Sequence, residues 1–114
     1  MPPDTELARL ETFGPVASVE VVGDAEEAVR RANETPYGLA AGILTSDPDR
    51  GLALADRLRS GMVHVNDQPV HDEPQTPFGG VKDSGWGRFG GGAMDEFTEL
   101  KWVTVQSGAR PFPF

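Results

Sequence analysis

The sequence predicts an α/β fold, a β-α-β-α-β order with a parallel sheet covered by helices. Three observations lead there. Val16–Val22 is a β-branched run of strand length closed by Gly23. Two helical stretches carry their own start signals, at Asp24 and at Asp47-Pro48, and two further apolar runs, Leu39–Thr45 and Met62–Asn66, alternate with them across short links. Strands interleaved with helices in this way are the pattern of a parallel sheet.

Taken in order, residues 1–10, with Pro2, Pro3 and Asp4, read as a loose arm. Glu11-Thr12-Phe13-Gly14-Pro15 is turn-like and leads into the first strand. Asp24 is the expected N-cap, and Glu27 three residues on makes a near capping box with Asp in the Ser/Thr place. The helix spans 25 to about 34, with Ala28, Val29 and Ala32 facing inward. Pro36 stops it, because the residue before a proline avoids the α region. Leu39–Thr45 is a strand expected to be buried on both faces.

Ser46 or Asp47 caps the second helix, and Pro48 stands where the first turn accepts proline. Gly51, Leu54, Ala55 and Leu58 recur at helical spacing, so this helix is expected to reach about Ser60 with Gly61 just past its end. Met62–Asn66 is the third strand, and His64 within it reads as a packed, hydrogen-bonded residue rather than a catalyst. Asp67–Gly92 has no periodicity, and a loop of that length in a compact domain is usually functional or disordered. A short helix around 93–97 and a last strand, Leu100–Gln106, precede a Pro/Phe tail.

Composition narrows the function. The 114 residues make one domain at most, with 38% hydrophobic and 25% charged residues, which suits a globular chain. A net charge of −8 speaks against nucleic acid or an anionic membrane as partner. No apolar run approaches the roughly 20 residues of a membrane span. The start, MPPDTELARLE, lacks the basic and apolar regions of a signal peptide, so a cytoplasmic location is expected. Cysteine is absent, which removes disulfides, thiolate metal sites and a thiol nucleophile from this chain. His64 and His71 form no H-x-x-x-H or H-E-x-x-H pattern, so no metal is expected.

Pro77–Gly92 concentrates seven of the chain's 14 glycines among Phe78, Trp86 and Phe89. Glycine between large aromatics suggests tight turns, some at positive φ, anchored by rings. Gly85-Trp86-Gly87-Arg88-Phe89-Gly90 spells G-x-G-x-x-G, but no strand precedes it and no βαβ unit follows. It is not read as a pyrophosphate cradle.

Five blocks, ETFGPV (11–16), ANETPYGLAAGILT (32–45), SGMVHVN (60–66), PFGGVKDSGWGRFGG (77–91) and DEFTELKWVTV (95–105), together resemble the C-terminal part of NAD(P)-dependent aldehyde dehydrogenases, in that family's order and near its spacing. NDQPVHDEPQ before the glycine-rich block is most similar to the branch acting on aromatic aldehydes such as benzaldehyde, vanillin and salicylaldehyde. The resemblance implies that residues 11–98 are part of the catalytic domain, that 99–106 is an oligomerisation strand and that 107–114 is a tail. It implies that the cofactor-binding Rossmann-like domain and the nucleophilic cysteine belong to segments preceding the E-x-F-G-P block. NAD or NADP is then the cofactor of the full-length enzyme, a small aldehyde its substrate and a homo-oligomer its assembly. The chain by itself is expected to bind no cofactor and to be inactive; the alternative is a non-catalytic remnant or self-associating module.

By the same resemblance, Glu11 matches the glutamate that bonds the nicotinamide ribose hydroxyls, and Phe13 the phenylalanine beside the nicotinamide ring. Without it, Glu11 is a solvated carboxylate and Phe13 a core anchor. Phe78 matches a phenylalanine of the aldehyde tunnel, with Val70 and His71 near its mouth. The loop before Phe78 is one residue longer than the commoner family pattern, which shifts the register of Val70 and His71. Asn66 matches a family asparagine, read as a structural residue bonding loop backbone.

Overall fold

Two of the expected strands find each other. In the computed structural model, which describes residues 5–109 and 111, the elements in chain order are α1 (Glu6–Arg9), α2 (Ala25–Glu34), β1 (Ala40–Ile43), α3 (Pro48–Ala55), β2 (Met62–Val65) and α4 (Ala93–Glu96), with 3₁₀ turns at Lys82–Ser84 and Gly90–Gly92. β1 and β2 pair in parallel, Ala40 opposite Met62 and Ile43 opposite Val65, and α3 is the crossover between them. The fold class is α/β, as the sequence predicts, with a sheet of two strands.

The helix starts form as their sequences dictate. Asp24 Oδ1 accepts the Glu27 N–H at 2.8 Å, and Glu27 Oε2 accepts the Gly23 N–H at 2.9 Å, a capping box displaced by one residue. Asp47, not Ser46, caps α3 by accepting the Arg50 N–H at 3.1 Å, with Pro48 in the first turn. α3 ends at Ala55, short of Ser60. Its exit tightens into i→i−3 bonds from Arg57 N to Leu54 O and Leu58 N to Ala55 O, so Gly61 is no helix terminator. Gly61 instead admits a crossing: a Cβ there would lie 1.7 Å from the Gly79 carbonyl oxygen.

Several expectations are corrected. Val16–Val22 is not a strand; it lies along the surface with Val19 and Val21 exposed, because no strand among the described residues offers it a ladder. Leu100–Gln106, read as a strand that pairs with another subunit, has no partner strand among the described residues, and Trp102 is 90% exposed. The run Leu39–Thr45 contributes only Ala40–Ile43 and is not buried on both faces, since a two-strand sheet with one crossover helix leaves Leu44 open. Of the inward set in α2, Val29 alone is buried, at 8% exposure, while Ala28 and Ala32 are exposed. Where a loose arm is expected, residues 6–9 form one helical turn; Pro2, Pro3, Asp4 and most of the Pro/Phe tail lie outside the described residues.

The result is an open body. Its radius of gyration is 21.6 Å, against about 13 Å for a compact chain of this length. Its accessible surface is 9510 Å², against about 6,100 Å² for a folded monomer of this mass.

Candidate functional site

The loops that carry the candidate residues are fixed by a knot of main chain centred on Gly38. The Gly38 carbonyl accepts from Gly61 N at 2.9 Å and Val81 N at 3.0 Å, and its own N–H donates to Ser84 Oγ at 2.9 Å. Asn33 holds the exit of α3 from both sides: Nδ2 donates to Arg57 O at 2.9 Å and Oδ1 accepts Arg59 N at 2.7 Å. Lys82 Nζ donates to Asn33 O and Thr35 O, both at 3.1 Å, setting a cation on the carbonyl end of α2. Three stretches far apart in sequence thus share one point. No side chain larger than hydrogen fits at Gly38, where a Cβ would come within 2.9 Å of Arg59 O.

The glycine-rich stretch makes the expected turns: Gly85, Gly87 and Gly90 have φ of 115°, 78° and 72°. Phe89 N donates to Phe78 O at 2.7 Å, so the stretch closes on itself as an isolated antiparallel bridge. A Cβ at Gly90 would strike Thr76 O at 2.1 Å. G-x-G-x-x-G therefore sits in a loop, after a 3₁₀ turn, and is no strand-to-helix phosphate turn.

Between β2 and this closure runs the loop of Val70, His71 and Phe78. Asn66, with φ of 60°, turns the chain out of β2; its Oδ1 accepts Thr45 N at 2.8 Å, the backbone role expected of it. His71 Nδ1 lies 2.6 Å from Asp67 Oδ2. That hydrogen bond holds the imidazole above its ordinary value of 6.5. The same bond, with the Gln68 N–H, holds Asp67 below 3.8. His71 and Pro77 border a cleft of about 380 Å³ together with Met62, Val63 and His64. Phe78, half-buried, follows Pro77, whereas Val70 is exposed and not in the cleft wall. His64 is half-buried as expected, but its Nε2 has no hydrogen-bond partner among the described residues, which corrects the expectation of a bonded ring.

Glu11 and Phe13 stand elsewhere. Glu11 borders a second cleft, of about 310 Å³, with Asn33, Tyr37, Leu39, Leu58 and Ser84, which shares no residue with the His71 cleft. No hydrogen bond or ion pair among the described residues engages its carboxylate, so both oxygens are open to hydroxyl donors. Phe13 is 92% exposed, with φ of 48° at the residue before the Gly14-Pro15 bend. Sequence reasoning missed Asp67, four residues before His71, and Lys82; neither role is signalled by the sequence.

Comparison with known proteins supplies the frame. Residues 1–103 match the model of the aldehyde dehydrogenase family. The chain is 53% identical over 109 residues to vanillin dehydrogenase of Pseudomonas fluorescens, covering 94% of this chain and 22% of that enzyme. The crystal structure of a salicylaldehyde dehydrogenase from Pseudomonas putida G7 complexed with salicylaldehyde is similar with a TM-score of 0.84 at 42% identity, over 93% of this chain and 22% of that one. Mycobacterium tuberculosis aldehyde dehydrogenase complexed with NAD+ gives a TM-score of 0.86 at 32% identity, over 97% of this chain and 23% of that one. The chain thus spans less than a quarter of the length of the relatives it matches.

Proposed function

The chain belongs to the aldehyde dehydrogenase family, and from that premise we propose that it is the C-terminal part of an enzyme that oxidises an aromatic aldehyde to its carboxylic acid with NAD or NADP. The likeness to vanillin dehydrogenase along nearly the whole chain is the observation that supports the aromatic substrate. Attack on an aldehyde carbon by thiolate needs a cysteine, and these 114 residues contain none. The thiol, its base and the main cofactor domain must come from further polypeptide, so this chain alone is inactive and binds NAD no tighter than about 1 mM.

NAD, when bound, accepts the hydride. The residues here serve that step by placement. The open Glu11 carboxylate accepts from adjacent ribose hydroxyls, and Phe13 limits the swing of the nicotinamide ring. Phe78 walls the aldehyde path, where contact between rings is worth about 0.5–1.5 kcal/mol, with Val70 and His71 nearer its mouth. A reducing, cytoplasmic setting suits chemistry that depends on a free thiolate. The unpaired Leu100–Gln106 segment and the wide exposed apolar surface favour self-association, as a homo-oligomer of the complete enzyme. The same observation supports a second reading, a non-catalytic self-associating module.

A graft separates the two. This chain replaces the matching segment of Pseudomonas putida G7 salicylaldehyde dehydrogenase, and NAD and NADP reduction are assayed with benzaldehyde, vanillin and acetaldehyde. The expected result is turnover by the graft, fastest with the aromatic aldehydes, and none by the chain alone. A folded graft that oxidises nothing favours the module. A graft preferring acetaldehyde overturns the aromatic reading, and cofactor reduction by the chain alone above a boiled control overturns its inactivity.

A further inference from the structure

The loop leaving β2 is built around one carboxylate. Asp67 Oδ1 accepts the Gln68 N–H at 2.8 Å, Asp67 Oδ2 pairs with His71 Nδ1 at 2.6 Å, and the His71 main-chain N–H donates to Gln68 O at 3.2 Å. Backbone and ring of His71 are both tethered. With Nδ1 committed to Asp67, Nε2 makes no hydrogen bond among the described residues; Glu73 Oε1, of a residue that also borders the cleft, stands 3.9 Å from it, beyond hydrogen-bond reach. The ring borders the cleft of about 380 Å³, a volume within the roughly 300–1,000 Å³ of small-molecule sites. Met62, Val63 and Pro77 give that cleft apolar wall, and Phe78 follows directly.

We propose that the Asp67–His71 pair reads a ring hydroxyl: His71 Nε2 hydrogen-bonds the phenolic oxygen of an aromatic aldehyde seated against Met62, Val63 and Pro77. The inference rests on the aromatic-aldehyde reading of this loop and adds to it the residue that distinguishes a hydroxylated ring. Asp67 fixes the proton on Nδ1, so a neutral imidazole offers Nε2 as an acceptor and an imidazolium offers it as a donor. A phenolic hydroxyl is donor and acceptor and pairs with either form, whereas a methoxy group only accepts and an unsubstituted ring does neither. Glu73, Asp72, Asp67 and His64 are the other titratable groups around the ring. The acids disfavour a substrate that carries a full negative charge and leave a neutral phenol preferred.

The test titrates the whole chain, labelled in its histidine and phenylalanine rings, with unreactive stand-ins for the aldehydes: benzamide, 4-methoxybenzamide, 2-hydroxybenzamide and 4-hydroxybenzamide. The His71 ring resonances should move with a hydroxylated ligand, which should bind about fivefold more tightly than benzamide, as one added hydrogen bond allows. His71→Phe should abolish that preference; Asp67→Asn should reduce it, and His71→Gln should restore part of it. Benzamide that moves Phe78 with no preference for a hydroxyl, or a preference that survives His71→Phe, overturns the role of His71 and leaves the aromatic reading standing. No response at either Phe78 or His71 to any ligand overturns both.

Discussion

Met62-Val63-His64-Val65 and Trp102-Val103-Thr104-Val105 share an alternating, β-branched pattern, and the first is a strand while the second is exposed chain. Local preference is not what separates them. The N–H groups of Met62 and Asn66 reach carbonyls of Leu39 and Ile43 at 3.0 and 2.7 Å, and Gly61 lets the chain pass beneath Gly79. Residues 102–105 have no such neighbour among those described. Strand formation in this molecule is decided by what stands alongside, in keeping with the context dependence of β preference.

That contrast can be broken most severely at its glycines. Gly61→Ala places a methyl 1.7 Å from a backbone oxygen, while at Gly108 nothing lies within 4 Å. The first should cost more than about 3 kcal/mol and the second stay within about 0.5 kcal/mol, read from urea midpoints; equal midpoints would show that the crossing at Gly61 is not what anchors β2. Proline comes next. Met62→Pro removes the bond to Leu39 O and should cost about 3 kcal/mol, whereas Val103→Pro should leave the midpoint unchanged and instead weaken self-association measured by light scattering. If Val103→Pro also lowers the midpoint, the terminal segment is paired in solution. Asn33→Ala, which frees Arg57 O and Arg59 N, should cost about 1–2 kcal/mol and raise amide exchange at 57–61 before 62–66.

The smallest effect is the pH response of the loop after β2. His71 is raised above 6.5, so its contribution is complete below that value and lost as pH rises through the higher folded one. Asp67 is lowered from 3.8, so its contribution is complete above 3.8 and lost as pH falls through the lower folded one. The loop is therefore held best between about 3.8 and 6.5. His71 ring shifts should titrate above 6.5, and Asp67→Asn should bring the midpoint down; an unchanged midpoint would mean that the two side chains do not pair in solution.

Much of this was legible in residues. Asp24, Asp47 and Pro48 act next to themselves in sequence, so caps and helix starts could be read directly, as could the positive-φ turns of Gly85, Gly87 and Gly90. The family blocks were legible because they are long and ordered. What could not be read depends on distant partners. Val16–Val22 has the composition of a strand and finds no ladder among the described residues, and His64 has the setting of a bonded core residue while its Nε2 finds no hydrogen-bond partner among them. The Asp67–His71 pair is local, four residues apart, but nothing in the spacing says that the loop bends enough to join them.

The knot at Gly38 has a consequence in time. Its ties reach Gly61 and then, at twice that separation, Ser84, 46 residues along the chain. Doubling a loop adds only about 0.6 kcal/mol to its closure, so the longer tie is thermodynamically cheap. It is nonetheless late: during synthesis α2, β1, α3 and β2 can assemble early, but the Gly38 N–H and the carbonyls at the end of α2 wait for Ser84 and Lys82 to be made. A translational pause before residue 84 would hold the nascent chain with its sheet paired and its knot untied, and contacts of such long span slow folding in any case. Half-made chains of this protein are thus exposed for longer than their secondary structure suggests.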